Sequence, residues 1–441
     1  IHSGIAKLRP GEVFQITVKP GDEPLRSRCN EALTRYWSIE ELVRKGLEHP
    51  LSGELDQLAD QLEERLANAV KLQMHADVPV GAFLSGGIDS SLVVALLQRH
   101  SARPVHTFSI GFDEEAFDES DEARRVAEYL GTRHTELRVS SAEAQAVIPR
   151  LPEIFDEPFG DSSQIPTYLV AALARSEVTV SLSGDGGDEL FGGYRKYEIG
   201  TRLARVPARR CAGRLLAYAA RLLAQGGQRF DLWLSPRRLK RLAAMLCADH
   251  SQLARMLSDN CPEIASIVPA ATSDTSPAWA SFARLDGAPY GVTAALMDLL
   301  AYLPDDILTK VDRACMSVSL ESRAPLLDHR VVEFACRIPW SMRGGSGNRK
   351  ILLRHLLYRL VPRRLVDRPK MGFSVPLARW LRGELRPWAE SLLADNHAHR
   401  DGLIERKALA AAWQEHLAGF RDRSPFLWSA LMFLAWRAQS A

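Results

Sequence analysis

The chain has 441 residues, of which 46% are hydrophobic and 25% are charged, and its formal net charge is +2. This length predicts two or three domains, and the composition is that of an ordinary globular protein. The near-neutral charge argues against a nucleic-acid partner, and no apolar run is long enough for a membrane span, so we expect neither partner. The six cysteines lack paired spacing, which argues against zinc and disulfide frameworks and favours reduced thiols in a cytoplasm.

The start of the chain carries signals of a small β structure followed by a linker. Residues 1–37 combine two Pro-Gly turns with a short alternating run, which predicts a hairpin edge too short to fold alone. Residues 38–53 have linker character. A helix is predicted over 54–75, because leucines recur there at helical spacing at positions 55, 58, 62 and 66.

Strand and helix patterns alternate along the next part of the chain. Strands are predicted over residues 78–84, 105–110, 134–139 and 178–182, and helices over 90–99, 122–130 and 166–175. This alternation predicts a parallel sheet covered by helices on both faces. We assign residues 54–200 to this α/β core, 201–289 to a helical insertion and 290–441 to a helical C-terminal part.

A glycine-rich loop follows the first of these strands, where residues 84–91 read LSGGIDSS. Glycines let the backbone approach an anion, and the helix that follows offers free N–H groups to a phosphate. Asp89 is an unfavourable neighbour for a phosphate unless a cation lies between them, and Mg²⁺ bound to pyrophosphate meets that condition. The alternative is a plain turn capped by Asp89 and Ser90. A Walker loop and a dinucleotide fingerprint are excluded, because their lysine and glycine positions are absent.

A second glycine-rich loop follows the fourth predicted strand. Residues 182–194 read LSGDGGDELFGGY and combine five glycines with three carboxylates. Such an acidic loop would repel a triphosphate on its own. Opposite the first loop it suits a metal site, in which Asp188 and Asp89 share Mg²⁺. The alternative is a solvated turn whose acids cap a helix.

Taken in order, these motifs resemble glutamine-hydrolysing asparagine synthetase, and the first loop resembles the pyrophosphate loop of the ATP pyrophosphatase superfamily. The resemblance covers about residues 1–385. Its further motifs are TFSIGF at 107–112, YLPDDILTKVDR at 302–313, LESRAPLLD at 320–328 and RPKMGF at 368–373. It implies an α/β fold with a doubly wound, five-stranded parallel sheet, additional helical segments and a remnant of an N-terminal β glutaminase domain.

The resemblance also implies a role for each site residue, with ATP as substrate and Mg²⁺ as cofactor. Pyrophosphate and Mg²⁺ would be held by the first loop, at Ser85, Gly86, Gly87, Asp89 and Ser90. Adenosine would be lined by Leu84, Ile110, Ser183 and Gly184. Asp188 would be the second metal contact, and Lys350 would neutralise charge around the α-phosphate and the acyl-adenylate. The alternatives are that Leu84 and Ile110 are simply core residues and that Lys350 is a solvated residue at a helix start.

Asp185 departs from the family pattern, which has glutamate at this position to handle the incoming ammonia. Aspartate is one methylene shorter, so its carboxylate retreats by roughly 1.5 Å, enough to matter for proton transfer. Either the pocket is rebuilt around Asp185 or the acceptor is not aspartate. Ala324 and Leu326, where the family usually has valine and phenylalanine, are milder departures.

Residues 1–11 resemble the end of the glutaminase domain, whose cysteine nucleophile this chain lacks. We therefore expect residues 1–37 to be a remnant of that domain, with ammonia supplied from glutamine in the full-length enzyme. The expected reaction adenylates a carboxylate, aspartate first among them, and converts it to an amide. The resemblance also allows a homodimer. The alternatives are a different acceptor in β-lactam, peptide or surface-polysaccharide amidation, a tRNA-modifying pyrophosphatase, and a non-catalytic relative.

Overall fold

The computed structural model describes residues 5–16, 33–114, 118–225, 236–259, 264–270, 285, 287–344, 347–368, 374–395 and 402–439. Near the start of the chain, strands β1 (Glu12–Phe14) and β2 (Leu33–Arg35) pair antiparallel, with Phe14 opposite Leu33. The alternating run predicted here is thus a strand in its first part. Its last residues, and the segment 1–4, lie outside the described residues, as does most of the RPKMGF motif.

A five-stranded parallel sheet forms the centre of the fold. Its strands are β3 (Val80–Phe83), β4 (His106–Phe112), β5 (Arg133–Val139), β6 (Val180–Leu182) and β7 (Glu321–Arg323), and their spatial order is β5-β4-β3-β6-β7. This arrangement confirms the predicted fold class. Strand-and-helix alternation predicted only the first four of these strands, because β7 lies far along the chain inside the LESRAPLLD motif.

Helices account for most of the remaining described chain. Those before residue 200 are α1 (Ile39–Glu48), α2 (Leu55–Met74), α3 (Ile88–His100), α4 (Ser120–Leu130), α5 (Ser141–Ala146), α6 (Leu151–Phe155), α7 (Gln164–Arg175), α8 (Gly187–Phe191) and α9 (Arg195–Ala204). Those that follow are α10 (Arg209–Gln225), α11 (Pro236–Cys247), α12 (His250–Ser258), α13 (Ile264–Ile267), α14 (Tyr290–Met297), α15 (Thr309–Met316), α16 (His329–Arg337), α17 (Trp340–Arg343), α18 (Ile351–Leu357), α19 (Arg363–Val366), α20 (Leu377–Arg382), α21 (Arg386–Ala394), α22 (Arg406–Leu417) and α23 (Ser424–Gln439). None of the described helices is long and apolar enough to cross a membrane.

The sheet separates two hydrophobic cores, as expected for parallel strands that are buried on both faces. One core contains buried residues of α2, α3 and α18, among them Leu62, Leu92 and Leu353. The other contains Phe108 of β4 together with buried residues of α7 and α23, such as Ile165 and Leu431. Helices therefore cover both faces of the sheet, and the loops at the carboxyl ends of its strands are left to build a site.

One stretch of helix has an unusual form. Residues Asp298–Leu308, which include Pro304, form a π-helix between α14 and α15. Proline has no N–H to donate inside a regular helix, and π-helical turns occur frequently at functional sites. This stretch and the start of α15 place Tyr302 and Lys310 in the wall of the cavity described below.

Candidate active site

The two glycine-rich loops meet at one edge of the sheet. The first connects β3 to α3, and the second connects β6 to α8. Because β3 and β6 are adjacent and parallel, their carboxyl ends open into the same crevice, where α/β proteins bind ligands. A Cβ atom on Gly184 would lie 2.7 Å from the backbone nitrogen of Ser90 and 2.9 Å from Cβ of Asp89. Glycine at this position therefore allows the loops to touch.

The first loop gathers two hydroxyl groups beneath the start of α3. The Oγ atoms of Ser85 and Ser90 are 3.0 Å apart, and Ser90 Oγ accepts a hydrogen bond of 3.2 Å from the backbone of Ser85. Gly87 donates its N–H to Ser85 Oγ at 3.3 Å. Gly86 has a φ of 68°, which glycine adopts without strain. The loop is thus a tight turn with hydroxyls beside a helix N-terminus, an arrangement suited to phosphate.

A lysine from a distant part of the chain joins the two loops. Lys350 precedes α18 and is buried, with 6% of its surface exposed. Its Nζ donates a hydrogen bond to Asp89 Oδ2 and lies 2.8 Å from Asp188 Oδ1. Burial alone would lower the pKa of Lys350, but the two carboxylates outweigh it and hold the pKa above its ordinary value. Lys350 is therefore a buried ammonium ion, and the alternative of a solvated lysine is wrong.

These residues surround a cavity of about 720 Å³. Its walls include Leu84, Ile110, Ser183 and Gly184, the four residues expected at the adenosine. Leu84 and Ile110 are also members of the two hydrophobic cores, so they are both core residues and cavity wall. All of the sequence-predicted site residues except Gly86 are among the described residues that line this cavity. Gly86 instead allows the backbone to turn, through its positive φ.

Asp185 lies between this cavity and a second one. The second cavity has a volume of about 590 Å³, and its walls include Leu308, Cys315 and Ala324. Ser183 donates its hydroxyl to Asp185 Oδ2 at 2.8 Å. Burial raises the pKa of Asp185, and the negative charge of Asp188 adds to the increase. The Asp185 carboxylate is therefore a stronger base than an exposed aspartate, and it faces two cavities.

A buried cluster that sequence reasoning missed lies across the larger cavity. Lys310 Nζ donates hydrogen bonds of 2.7 Å to Asp161 Oδ2 and to Ser163 Oγ. Burial acts to raise the pKa of Asp161, but the Lys310 charge holds it below its ordinary value. Burial and the negative charge of Asp161 raise the pKa of Asp306 to about 7. Lys310 and Asp306 fall within the YLPDDILTKVDR motif at 302–313, and this motif was the one sequence feature that could have indicated a role for them.

Two further residues at the cavity were also missed. Glu189 is buried next to Asp188 and accepts a hydrogen bond from the hydroxyl of Tyr194. Burial, with the Asp188 charge, raises the pKa of Glu189 to about 7. Arg368 donates a hydrogen bond of 3.1 Å to the backbone oxygen of Ser85 and also lies 3.4 Å from Glu119. Arg368 therefore brings positive charge to the first loop.

The donor atoms suit a metal ion that arrives with a nucleotide. Among the described residues, no group of three or more histidine, cysteine, aspartate or glutamate side chains is arranged to hold a metal. Asp89 and Asp188 offer two carboxylates that are close enough to share one cation, Lys350 Nζ. Mg²⁺ is commonly bound by one or two carboxylates together with substrate phosphates and water. The residues present therefore fit Mg²⁺ bound to ATP, with oxygen ligands from each loop.

Comparison with known proteins places the chain among enzymes named for amide formation. A family model described as asparagine synthase matches residues 61–438. The putative asparagine synthetase (glutamine-hydrolyzing) of Mycobacterium tuberculosis is 34% identical over 99% of this chain and 64% of the relative. Asparagine synthetase (glutamine-hydrolyzing) 1 of Bacillus subtilis is 31% identical over 88% of the chain and 60% of the relative.

A more distant relative has a different name. Amidase chry2 of Gibberella zeae is 24% identical over 92% of the chain and 63% of the relative. The chain spans less than two thirds of the length of these three relatives. The family model covers more than half of the chain, and the motifs at 84–91, 107–112, 182–194 and 302–313 all contribute residues to the cavity wall. The chain belongs to the asparagine synthase family.

Proposed function

We propose that the chain is the synthetase part of an ATP-dependent amide-forming ligase. It adenylates a carboxylate, with aspartate the leading acceptor, and transfers ammonia to give an amide, AMP and pyrophosphate. The observation that carries the proposal is the buried Lys350 ammonium between Asp89 and Asp188, beside a cavity built by both glycine loops. The names of the relatives support the same chemistry.

In the first half-reaction an oxygen of the acceptor carboxylate attacks the α-phosphorus of ATP. The bond from that phosphorus to the bridging oxygen breaks, and pyrophosphate leaves. The hydroxyls of Ser85 and Ser90 and the N-terminus of α3 bind the leaving phosphates. Mg²⁺ held by Asp89 and Asp188 would neutralise phosphate charge. Lys350 supplies a positive charge, fixed in advance by burial, where negative charge develops at the α-phosphate.

In the second half-reaction the nitrogen of ammonia attacks the acyl carbon, and the bond to the AMP oxygen breaks. The attacking nitrogen must lose a proton, and Asp185 is placed to accept it. Its raised pKa makes it a better base than an ordinary aspartate. The 590 Å³ cavity on its other side offers ammonia an approach to the carboxylate.

The residues around Asp185 and Lys310 bear on which carboxylate is the acceptor. Lys310 lines the larger of these two cavities and brings a positive charge to it, which suits an acceptor that carries a second carboxylate, such as aspartate. The aspartate at position 185 favours the second candidate, in which the same chemistry acts on another carboxylate. The relative named as an amidase supports that candidate weakly, at 24% identity. We also propose that the protein is cytoplasmic, that it forms a homodimer, and that a preceding domain supplies ammonia from glutamine.

The test is carboxylate-dependent exchange of radiolabelled pyrophosphate into ATP, measured over a panel of acceptors. Aspartate is expected to support exchange, and ammonium salts to yield the amide. Lys350→Met is the negative control, and Lys407→Met, at an exposed position, is the matched positive control. Exchange with another carboxylate alone would select the second candidate. No exchange with any carboxylate would contradict the adenylation proposal.

A further inference from the structure

Helices α10 and α11 form a hairpin that is packed tightly on its inner side. A Cβ atom on Gly213 would lie 2.6 Å from Cys247 Sγ, so the start of α10 lies against the end of α11. The Arg209 guanidinium donates a hydrogen bond of 2.6 Å to the backbone oxygen of Ala248. Ala220 and Leu246 are buried. The two helices therefore pack against each other on the inner side of the hairpin, and the exposed residues form its outer face.

That outer face carries large apolar side chains in water. Leu215, Tyr218 and Leu222 are 71%, 63% and 51% exposed. Their spacing of three and four residues places them in one stripe along α10. Leu242 of α11 is also exposed. We call Leu215, Tyr218 and Leu222 the apolar stripe. Exposed apolar side chains that are grouped on one face of a helix, rather than scattered singly, are typical of an interaction surface.

Positive charge is concentrated in the same element. Helices α10 and α11 contain seven arginines and one lysine but no acidic residue, so their formal charge is +8 in a chain whose total is +2. On α10, Arg210, Arg214 and Arg221 are exposed beside the apolar stripe. In the described part of the chain, no carboxylate forms an ion pair with any of these three arginines. The surface is therefore apolar along its stripe and strongly basic at its flank.

We propose that this face of the hairpin docks the protein on an anionic lipid surface. The apolar stripe would enter the boundary between headgroups and acyl chains, and the arginines would meet the anionic headgroups. A second copy of the same face is disfavoured, because it would bring two strongly positive surfaces together. A nucleic acid would pair with the arginines but would leave Leu215 and Leu222 in water. A contact of this kind needs no membrane-spanning helix.

The test is co-sedimentation of the full chain with phosphatidylcholine vesicles, with and without phosphatidylglycerol. Binding is expected only to the anionic vesicles and should weaken as salt increases. The triple variant Leu215→Ser, Tyr218→Ser and Leu222→Ser should bind at least tenfold more weakly, because each side chain loses its burial in lipid. Replacing Arg210, Arg214 and Arg221 by glutamine should weaken binding about fivefold for each arginine.

The matched control is Leu72→Ser, Tyr129→Ser and Phe420→Ser, which removes three exposed apolar side chains from other helices and loops. Circular dichroism and thermal melting show whether each variant is folded. The proposal is overturned if the chain does not bind anionic vesicles, or if the control weakens binding as much as the stripe variant. It is also overturned if stripe variants change the oligomeric state in light scattering, or if the stripe and arginine variants alter RNA binding while lipid binding is absent.

Discussion

The ammonium nitrogen of Lys350 lies 2.8 Å from Oδ1 of Asp188, and the same nitrogen is hydrogen-bonded to Asp89. Two carboxylates from different loops thus share one cation that comes from residue 350, far along the chain. Without a cation, two partly buried carboxylates that contact the same atom would repel each other. Lys350 is therefore the counterion of both, and the arrangement predicts how the site responds when that counterion is removed.

Lys350→Met should lower the melting temperature in the presence of EDTA. Removing one partner of a buried ion pair typically costs about 3–5 kcal/mol, because the remaining charge is left uncompensated. Methionine keeps the length of the side chain and is no more strained than lysine at the positive φ of this position. If Asp89 and Asp188 are Mg²⁺ ligands, Mg²⁺ should raise the melting temperature of Lys350→Met more than that of the unmodified chain.

The measurement is thermal melting with EDTA and over a Mg²⁺ titration, and it requires no catalytic activity. Lys407→Met, which removes an exposed lysine, is the control for loss of charge. Equal responses of Lys350→Met and the unmodified chain to Mg²⁺ would contradict the assignment of these two carboxylates to a metal.

Asp89→Asn and Asp188→Asn should each reduce pyrophosphate exchange about 10²-fold or more at ordinary Mg²⁺, while leaving the fold intact. Each change removes one of the two anionic oxygen donors that face the proposed nucleotide site. Exchange should recover in part at high Mg²⁺. Asp77→Asn, at an exposed position, is the control. Near-normal exchange by either variant at ordinary Mg²⁺ would remove that residue from the metal site.

The sequence predicted the parts of the site that are encoded locally. Strand, glycine loop and helix follow one another within residues 78–99, so Ser85, Asp89 and Ser90 could be placed from spacing alone. The adjacency of β3 and β6 then brings Asp188 to the same crevice. Lys350 was placed only by family resemblance, because nothing in its own neighbourhood indicates burial.

The remaining parts depend on contacts between distant segments. Lys310 pairs with Asp161, which precedes it by 149 residues, and such a pair has no local signature. The burial of Glu189 depends on the packing of helices around α8. Nothing in the sequence distinguishes Glu189 from the other acidic residues of the second glycine-rich loop. The π-helix that carries Tyr302 falls within the helical C-terminal part predicted over 290–441, but sequence periodicity does not indicate that its form is π rather than α.

Asp306→Asn should change how stability depends on pH. The pKa of Asp306 is raised from 3.8 to about 7, so the folded chain holds a proton that the unfolded chain releases near pH 4. Stability contributed at this position is therefore present at low pH and is lost as pH rises from about 4 to 7. Asparagine cannot ionise, so the variant should lose less stability over this range.

The measurement is the midpoint of chemical denaturation at pH 5 and pH 8, for the unmodified chain, Asp306→Asn and the exposed control Asp77→Asn. Titrating groups far from Asp306 contribute equally to the unmodified chain and Asp306→Asn, so the difference between them reports on Asp306 together with its neighbour Asp161. If the denaturation midpoint falls equally between pH 5 and pH 8 in Asp306→Asn and in the unmodified chain, Asp306 ionises in the folded protein without a cost in stability.

We expect changes at Asp185 to separate the two half-reactions, because Asp185 lies at the junction of the two cavities rather than in the first glycine-rich loop. Asp185→Asn should spare pyrophosphate exchange, which precedes the attack of nitrogen. It should reduce amide formation by ~10²–10⁴-fold, the usual contribution of general acid–base catalysis. Parallel assays of exchange and amide product with ammonium salts test this. If both activities fall together, Asp185 orders the loop through its bond with Ser183 instead.

A stability measurement on the same variant gives an independent check of the electrostatics. Burial raises the pKa of Asp185, so ionising it near neutral pH destabilises the folded chain. Asp185→Asn should therefore melt at a higher temperature than the unmodified chain at pH 7, and this advantage should shrink as pH falls from the raised pKa of Asp185 toward the ordinary aspartate pKa of 3.8. A variant that is more stable yet unable to form amide would be typical of a catalytic group held at a cost to stability.

Asp185→Glu restores the residue that the family carries and tests the acceptor. The carboxylate would extend further from the backbone by one methylene. A pocket shaped for aspartate should accept the longer side chain and keep or gain amide formation with aspartate. A pocket rebuilt around the shorter residue should lose activity through crowding, by an amount typical of overpacked sites, about 1–3 kcal/mol. Unchanged amide formation in both Asp185→Asn and Asp185→Glu would remove Asp185 from the mechanism, and with it the main reason to look beyond aspartate for the acceptor.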